Sequence, residues 1–276
     1  MQAGAGRLPF WATFQHAHKA LGEHFSAIAR FSGPWFAGLI AVSAILEWLY
    51  YPRSQEANAP FSWFDLAYLA LLTLLPLLVG AIVGVFLHRR ILLTGRLSEG
   101  TSASLHISLV NAYFWKYSAL GILFVLSLCL LVATGLLVAI IFTRTEIFPS
   151  ESTGCIICLA LPILALPVSS YIPVRFSLSL PATAVCSLRS TFLHSWTATR
   201  GNFWKLFLGA TLSYWSFLPL IASMVLWSDL ESMSRAQTVI WNVVGTVAFF
   251  FSCLVSTAYF SLAYRHLTGE PNLQQD

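Results

Sequence analysis

Long runs of apolar residues, each close to 20 residues or longer, alternate along the chain with shorter polar segments. A run of this length can cross the hydrocarbon core of a bilayer as a helix. Six runs meet the requirement, at 33–51, 65–88, 115–142, 154–175, 204–227 and 238–264. In the second, fourteen of the residues from Leu66 to Leu87 are Leu, Ile, Val or Phe, which favours insertion by roughly 4–8 kcal/mol. The pattern predicts an all-α integral membrane protein with six transmembrane helices.

The segments that precede spans one, three and five have a different pattern, with apolar residues on only one side of a helix. Before span five, the apolar stripe consists of Val185, Leu188, Phe192 and Trp196. In the N-terminal segment it consists of Phe14, Leu21, Phe25 and Ile28. Helices with an aromatic and aliphatic face and a cationic polar face lie in the headgroup plane of a membrane. We therefore expect cytoplasmic interfacial helices at 8–31, 97–113 and 182–199.

Composition agrees with a single membrane domain over residues 1–276. Charged residues make up 9% of the chain and hydrophobic residues 57%, with a mean hydropathy of +0.74. Soluble proteins carry about a quarter charged residues, so this chain lacks the polar side chains to cover a water-exposed surface. No stretch is polar enough for a separate soluble domain. The N-terminus also lacks the compact apolar core of a cleaved signal peptide.

The positive charges are distributed unevenly between the two sides of the predicted bundle. Twelve of the 15 Lys and Arg residues fall on the side of the bundle that holds both termini, the loop between spans two and three and the loop between spans four and five. The other three, Arg53, Arg144 and Arg235, lie on the opposite side among several carboxylates. Because cytoplasmic loops of membrane proteins are enriched in Lys and Arg, both termini are expected in the cytoplasm.

Related short motifs recur along the chain and suggest an internal repeat. "FSGPWFAGL", "NAYFWKYSALG" and "GNFWKLFLG" begin spans one, three and five, and their tryptophans are Trp35, Trp115 and Trp204. "FLHRRILLTGR", "IPVRFSLSLPA" and "LAYRHLTGEP" end the even-numbered spans, and their arginines are Arg90, Arg175 and Arg265. Interface enrichment of Trp and Arg explains the residue types, whereas a repeat also explains the near-constant spacing. Each predicted unit is a cytoplasmic surface helix followed by a helical hairpin.

No set of residues in the sequence forms a recognisable catalytic or metal site. Cys155 and Cys158 form a C-x-x-C pair, but no second Cys or His pair accompanies them. All seven histidines fall on the predicted cytoplasmic side, without carboxylates at metal-ligand spacing, and we interpret them as interface residues. The sequence predicts a protein that is not an enzyme and that has no cofactor and no bound metal.

An alternative function is transport of a substrate or flipping of a lipid. Span four contains several prolines, and broken helices line the substrate sites of many transporters. Glu47 is the one carboxylate well inside an apolar run, and intramembrane charges are often functional. The transport path would then include Glu47, Pro167 and Arg175. A second alternative is an accessory subunit of a larger membrane complex.

Four stretches carry a resemblance to a known group of proteins: "VGVFLHRRILLTGR", "YIPVRFSLSLPATAV", "HSWTATRGNFWKLFLG" and "STAYFSLAYRHLTGE". They resemble uncharacterised multi-pass bacterial inner-membrane proteins and the membrane domain attached to some glycerophosphodiester phosphodiesterases. The resemblance implies a bacterial inner-membrane location and a loose link with phospholipid metabolism. It does not imply catalysis, because no soluble phosphodiesterase domain is expected in this chain.

These features together favour a non-enzymatic, lipid-interacting membrane protein with a scaffold-like or accessory role. Anionic phospholipids are the expected partners, with a membrane protein or a second copy of the chain as further candidates and no role for nucleic acid. The cations at equivalent ends of the three hairpins are the expected headgroup contacts: Arg90, Arg175, Arg200, Lys205 and Arg265.

Overall fold

The computed structural model describes residues 7–54, 61–93, 107–144, 166–187, 190–214 and 234–269. The regular structure in these residues is helical throughout, which confirms the predicted all-α class for this part of the chain. The helices are α1 (Phe10–Glu23), α2 (Phe25–Ser54), α3 (Trp63–Leu92), α4 (Ile107–Arg144), α5 (166–176), α6 (Ser179–Ala184), α7 (Phe192–Ala198), α8 (Phe203–Ser213) and α9 (Arg235–Thr268).

Four of the helices are long and apolar enough to cross a membrane. The candidate segments are Phe25–Tyr50, Trp63–Leu92, Ile107–Gly135 and Arg235–Thr268. They coincide with predicted spans one, two, three and six. The predicted spans at 154–175 and 204–227 fall largely outside the described residues, so the six-span count and the threefold repeat stay predictions.

The long helices α2 and α3 are antiparallel, and α9 runs beside α3 in the same direction. The carboxylate of Glu47, near the end of α2, accepts hydrogen bonds from Tyr68 and Asn242, near the starts of α3 and α9. At the other end of the bundle, His88 of α3 contacts Ser261 of α9. Serine capping boxes, at Ser62 for α3 and Ser234 for α9, satisfy first-turn amides of both helices at the same end.

Most of the described cations gather at one end of the bundle, where α1, α6 and α7 also lie; we call it the basic end. Its cations are Arg7, Lys19, Arg30, Arg89, Arg90, Lys116, Arg175, Arg200, Lys205 and Arg265. The Nε2 atom of His266 lies 3.3 Å from the carbonyl oxygen of Arg7. The first and last described residues of the chain are therefore at this same end.

The three predicted interfacial helices differ from the observed elements. In place of a helix over 8–31, α1 ends at Glu23, and Phe25 already begins the long helix α2. In place of one helix over 182–199, α6 and α7 are separate, because Cys186 has a φ of 57° and interrupts the helix. Of the segment 97–113, only 107–113 are described, and they form the first turns of α4.

The buried core lies mainly at the basic end. Its largest fully buried side chains include Leu8, Tyr259, Tyr264 and Leu206. Gly209 of α8 permits the closest approach, since a Cβ atom there would lie 2.1 Å from the ring of Tyr259. The outer faces of α2, α3, α4 and α9 expose many Leu, Ile, Val and Phe residues instead. Such a distribution suits helices that face lipid along their length and pack through one end.

Candidate functional site

The basic end is the candidate functional site because its charge is almost entirely positive. The described part of the chain contains only three carboxylates, Glu23, Glu47 and Asp65. Glu47 and Asp65 lie toward the opposite end, and Glu23 is paired with Lys19 at 3.8 Å. The described part of the basic end therefore carries ten cations and one carboxylate, and an anionic partner would complement this excess of positive charge.

Arg175, one of the predicted headgroup contacts, is held inside the protein at 7% exposure. Its guanidinium donates to the hydroxyls of Thr199 (3.2 Å) and Tyr171 (3.0 Å) and to the carbonyl oxygen of Trp196. The Trp196 ring lies against the guanidinium, with its centroid 3.7 Å from Cζ. Ser195 donates to the backbone carbonyl of Arg175 at 2.7 Å. These contacts fix α7 against α5, so the side chain serves the fold.

Lys205, a second predicted headgroup contact, holds the N-terminal segment in place. Its ammonium donates to the carbonyl oxygen of Leu8 at 2.7 Å, and the Leu8 amide donates to Asn202 Oδ1 at 3.0 Å. Both backbone groups of the fully buried Leu8 are thus satisfied by the "GNFWK" stretch. Tyr259 donates to the carbonyl oxygen of Lys205 at 2.7 Å and ties the same point to α9.

Lys116 stands in the equivalent position of the predicted repeat and makes an analogous contact. Its ammonium donates to Thr183 Oγ1 at 2.7 Å and to the Ser190 carbonyl oxygen at 2.6 Å. Arg89 donates to the carbonyl oxygen of Ala184 at 3.3 Å. Two cations thus hold the last residues of α6, together with Ser190 before α7, against α3 and α4.

The other predicted contacts are more accessible. Arg200 and Arg265 are exposed, and Arg90 is half-buried. Arg200 follows α7 and precedes Gly201, whose φ of 78° turns the chain toward α8. The three arginines at equivalent repeat positions therefore differ in exposure: Arg90 is half-buried, Arg175 is buried and Arg265 is exposed. Of the five predicted contacts, Arg200 and Arg265 have the most access to a headgroup.

The apolar faces predicted for the interfacial helices are partly used in protein contacts. Phe14 of α1 packs against Tyr259 of α9, with ring centroids 6.3 Å apart. Phe192 and Trp196 of α7 both pack against Phe176 of α5, at 5.0 and 5.5 Å. The exposed apolar groups of this end include four tryptophans, Trp11, Trp35, Trp115 and Trp204. Tryptophans in such positions are typical of a membrane interface.

His88 is the residue that the sequence interpretation placed wrongly. It is 1% exposed rather than at an aqueous interface. Its Nδ1 lies 2.7 Å from Ser261 Oγ, and its Nε2 lies 3.0 Å from the Tyr113 hydroxyl. Ser261 donates its single proton to the Thr257 carbonyl oxygen at 2.8 Å. The network therefore assigns the Nδ1–H tautomer, which donates to Ser261 while Nε2 accepts from Tyr113.

This network joins α3, α4 and α9, and it depends on the small residue Gly84. A Cβ atom at Gly84 would lie 2.7 Å from the hydroxyl oxygen of Tyr113. The sequence signals that could have indicated the network are a histidine adjoining the apolar run of span two and a serine in span six. Neither is specific alone, because the pairing partners are 173 and 25 residues away from His88.

The predicted transport residues do not come together in the described structure. Glu47 lies toward the end opposite the basic end, where it accepts from Tyr68 at 2.7 Å and from Asn242 at 3.0 Å. Beside it, Arg235 donates to the Trp48 carbonyl oxygen at 2.8 Å. Arg175 belongs to the basic end, and Pro167 lies between the two ends on α5.

His24 connects α1 and α2, and its pKa is lowered in the folded protein. Partial burial and the positive charge of Arg90 lower its pKa from the ordinary value of 6.5, and Glu23 opposes the shift. The neutral ring is therefore favoured at this turn. In the part of the chain that the structure describes, no group of three His, Cys, Asp or Glu residues is placed to hold a metal ion; Cys155 and Cys158 lie outside it.

Comparisons of the chain with protein-family models, with curated proteins and with solved structures found no match. The resemblance stated from the sequence therefore stays a prediction. The class of protein that the structure defines is a helical one with at least four apolar helices of membrane-spanning length.

Proposed function

We propose that the protein is a multi-pass protein of a bacterial inner membrane that binds anionic phospholipid headgroups at its basic end. Its role is that of a non-enzymatic scaffold or accessory component for other membrane proteins. The observation that carries the lipid contact is the gathering of cations at one end of apolar helices, where the single described carboxylate, Glu23, is already paired. Each Lys or Arg near an anionic surface favours binding by about 1 kcal/mol.

The accessible arginines make the sharpest test of headgroup binding. Arg200 and Arg265 are exposed, so their replacement leaves the Arg175 and Lys205 contacts intact. We expect the R200Q/R265Q variant in nanodiscs to retain less phosphatidylglycerol than the wild type against a phosphatidylcholine background. Native mass spectrometry of the lipids that remain bound would measure the difference. The matched control is R200K/R265K, which keeps both charges and should retain lipid as the wild type does.

The outcome of this comparison is decisive for the lipid contact. Equal retention of phosphatidylglycerol by the wild type, the Gln variant and the Lys variant would contradict it. Lower retention of phosphatidylglycerol in both the Gln and the Lys variants would show that the guanidinium geometry, rather than charge, determines lipid binding. Loss in the Gln variant alone is the expected result.

Orientation is tested separately, because a cytoplasmic basic end is part of the proposal. Leu193 of α7 is 74% exposed at the basic end, and Trp63 at the start of α3 is 85% exposed at the opposite end. In a cysteine-free background, L193C should resist a membrane-impermeant maleimide in intact spheroplasts, whereas W63C should react. Reaction of both sites after membrane disruption is the control. The reverse labelling pattern would invert the proposed topology.

A further inference from the structure

A cavity of about 530 Å³ lies at the basic end between α1 and the last turns of α9. One wall consists of Pro9, Ala12, Thr13 and His16, which share one face of α1. The other consists of Leu262, Arg265 and His266, which share one face of α9. The volume lies within the range of about 300–1,000 Å³ that is usual for small-ligand sites.

The chemistry of the cavity wall selects for anions. The wall contains an arginine and two histidines, and none of the described residues that line it is a carboxylate. Arg265 is exposed and presents a planar fork of donors suited to phosphate. The first turn of α1 adds the partial positive charge of a helix N-terminus, and no side chain caps that turn, since Pro9 occupies the N-cap position.

Hydrogen bonds on both sides of Pro9 hold the α1 wall in place. Leu8, next to Pro9, is held through its amide by Asn202 and through its carbonyl by Lys205. The Thr13 hydroxyl donates to the Pro9 carbonyl oxygen at 2.9 Å. His266 contacts the Arg7 carbonyl oxygen across the gap between the helices. A ligand entering the cavity therefore meets donors whose backbone positions are already fixed, which lowers the entropic cost of binding.

We infer that this cavity is a phosphate-binding site, in which Arg265 and His16 contact the phosphate oxygens from opposite walls. The inference rests on the proposed lipid-binding function, of which it names one specific contact and its chemistry. The phosphate belongs either to a phospholipid headgroup or to a free phosphate ion. Both sources present anionic phosphate oxygens to the same donors.

Two variants of the full-length protein separate charge from space in the cavity. R265Q removes the guanidinium, and A12W fills the space without changing charge. R200Q removes an exposed arginine outside the cavity, and Q15W adds the same ring to α1 at a residue that does not line it. The probes are inorganic phosphate, measured by calorimetry in detergent, and phosphatidic acid, measured in phosphatidylcholine nanodiscs.

We expect R265Q and A12W to weaken binding of at least one probe by fivefold or more, while R200Q and Q15W leave the binding of inorganic phosphate unchanged. A response to phosphatidic acid alone identifies a lipid as the source, and a response to inorganic phosphate identifies a free ion. The inference is overturned if R265Q and A12W bind both probes as the wild type does. If R200Q/R265Q still loses phosphatidylglycerol in that case, the proposed function stands without this site. If R265Q and A12W weaken the binding of inorganic phosphate while R200Q/R265Q retains phosphatidylglycerol as the wild type does, the cavity site stands and the proposed lipid-binding function is refuted.

Discussion

The hydroxyl oxygen of Ser127 lies 2.9 Å from the carbonyl oxygen of Ser169, across the contact between α4 and α5. In a regular helix the Ser169 carbonyl would accept from the amide of residue 173, but residue 173 is a proline and has no N–H. The single hydroxyl proton of Ser127 has three acceptors within reach, the carbonyl oxygens of Leu123 (2.7 Å), Ser169 (2.9 Å) and Phe124 (3.0 Å). Because the Ser169 carbonyl is the one of the three whose i+4 residue is a proline, Ser127 can supply the donor that Pro173 lacks. Unsatisfied backbone groups are costly in lipid, and neighbouring helices commonly compensate for them. The Pro173 position of α5 therefore has a compensating contact from α4 within the described residues.

We expect S127A to destabilise the protein by about 1 kcal/mol, because the Ser169 carbonyl would lose the hydroxyl within its reach, whereas the Leu123 and Phe124 carbonyls lie inside the regular helix α4. The matched control is T134A on the same helix, since Thr134 is exposed and donates to the carbonyl oxygen of Leu130 within α4. Equilibrium unfolding in mixed micelles would measure both variants. Equal stability of S127A and T134A would show that the Ser169 carbonyl does not depend on Ser127.

A second prediction concerns the contact between α8 and α9. G209A would place a methyl group 2.1–2.6 Å from side-chain atoms of Tyr259, and it should cost about 1–3 kcal/mol through overpacking. G245A is the matched control in α9, where the added methyl group would have no atom within 4 Å. That substitution should stabilise the helix slightly, as Ala is the better helix former. We expect the unfolding midpoint to fall below that of the wild type in G209A and to rise slightly above it in G245A.

The sequence predicted the features that depend on length and local charge, and it missed those that depend on distant partners. The long apolar helices and their antiparallel arrangement follow from runs such as the one between Leu66 and Leu87. By contrast, nothing near His88 indicates that Ser261 and Tyr113 will enclose it. An apolar helix face that packs on protein also has the same pattern as one that faces lipid.

The same limit applies to the candidate site. The described cations of the predicted cytoplasmic side lie at one end of the bundle, but the pattern could not separate Arg175, which binds α7, from the exposed Arg265. The single predicted helix over 182–199 failed for a local reason, since Cys186 adopts a positive φ that its residue type does not indicate. Such a conformation is unusual for a residue other than glycine. It ends α6 in a Schellman-type turn, in which the Cys186 amide donates to the Thr183 carbonyl oxygen and the Ser187 amide donates to the Ala182 carbonyl oxygen.

The role of Arg175 predicts a specific response of α7. R175K keeps the charge but cannot donate in three directions from a planar group. We expect faster amide hydrogen exchange in α7 in this variant than in the wild type, with α9 unchanged. R200K, a charge-preserving change at an exposed neighbour of α7, should leave exchange in α7 as it is. Unchanged protection of α7 in R175K would show that Arg175 does not hold this helix in place.

His24 predicts a pH dependence of stability. Its pKa is lowered in the folded protein by burial and by Arg90, so the unfolded chain, with an ordinary value near 6.5, binds more protons below that pH. The contribution of His24 to stability is therefore present above about pH 6.5 and is lost as the pH falls. Between about pH 7.5 and 5.5, the wild type should lose more stability than H24Q. A larger loss of unfolding free energy in H24Q than in the wild type over this pH range would contradict a lowered pKa of His24 in the folded protein.

The buried network around His88 gives the strictest test of the structure. S261A removes the acceptor of the Nδ1–H group and leaves a donor unsatisfied inside the protein, which should cost about 1–3 kcal/mol. Y113F removes the donor to Nε2 and should act in the same direction. S256A is the control, because Ser256 is buried on the same helix without contacting His88. Ser261 and Tyr113 contact opposite nitrogens of the same imidazole, and both contacts require the same tautomer. The loss of unfolding free energy in the S261A/Y113F double variant should therefore differ from the sum of the losses in the two single variants. Additive losses in the unfolding free energy would show that Ser261 and Tyr113 act independently, and the assigned chain of hydrogen bonds would then be wrong.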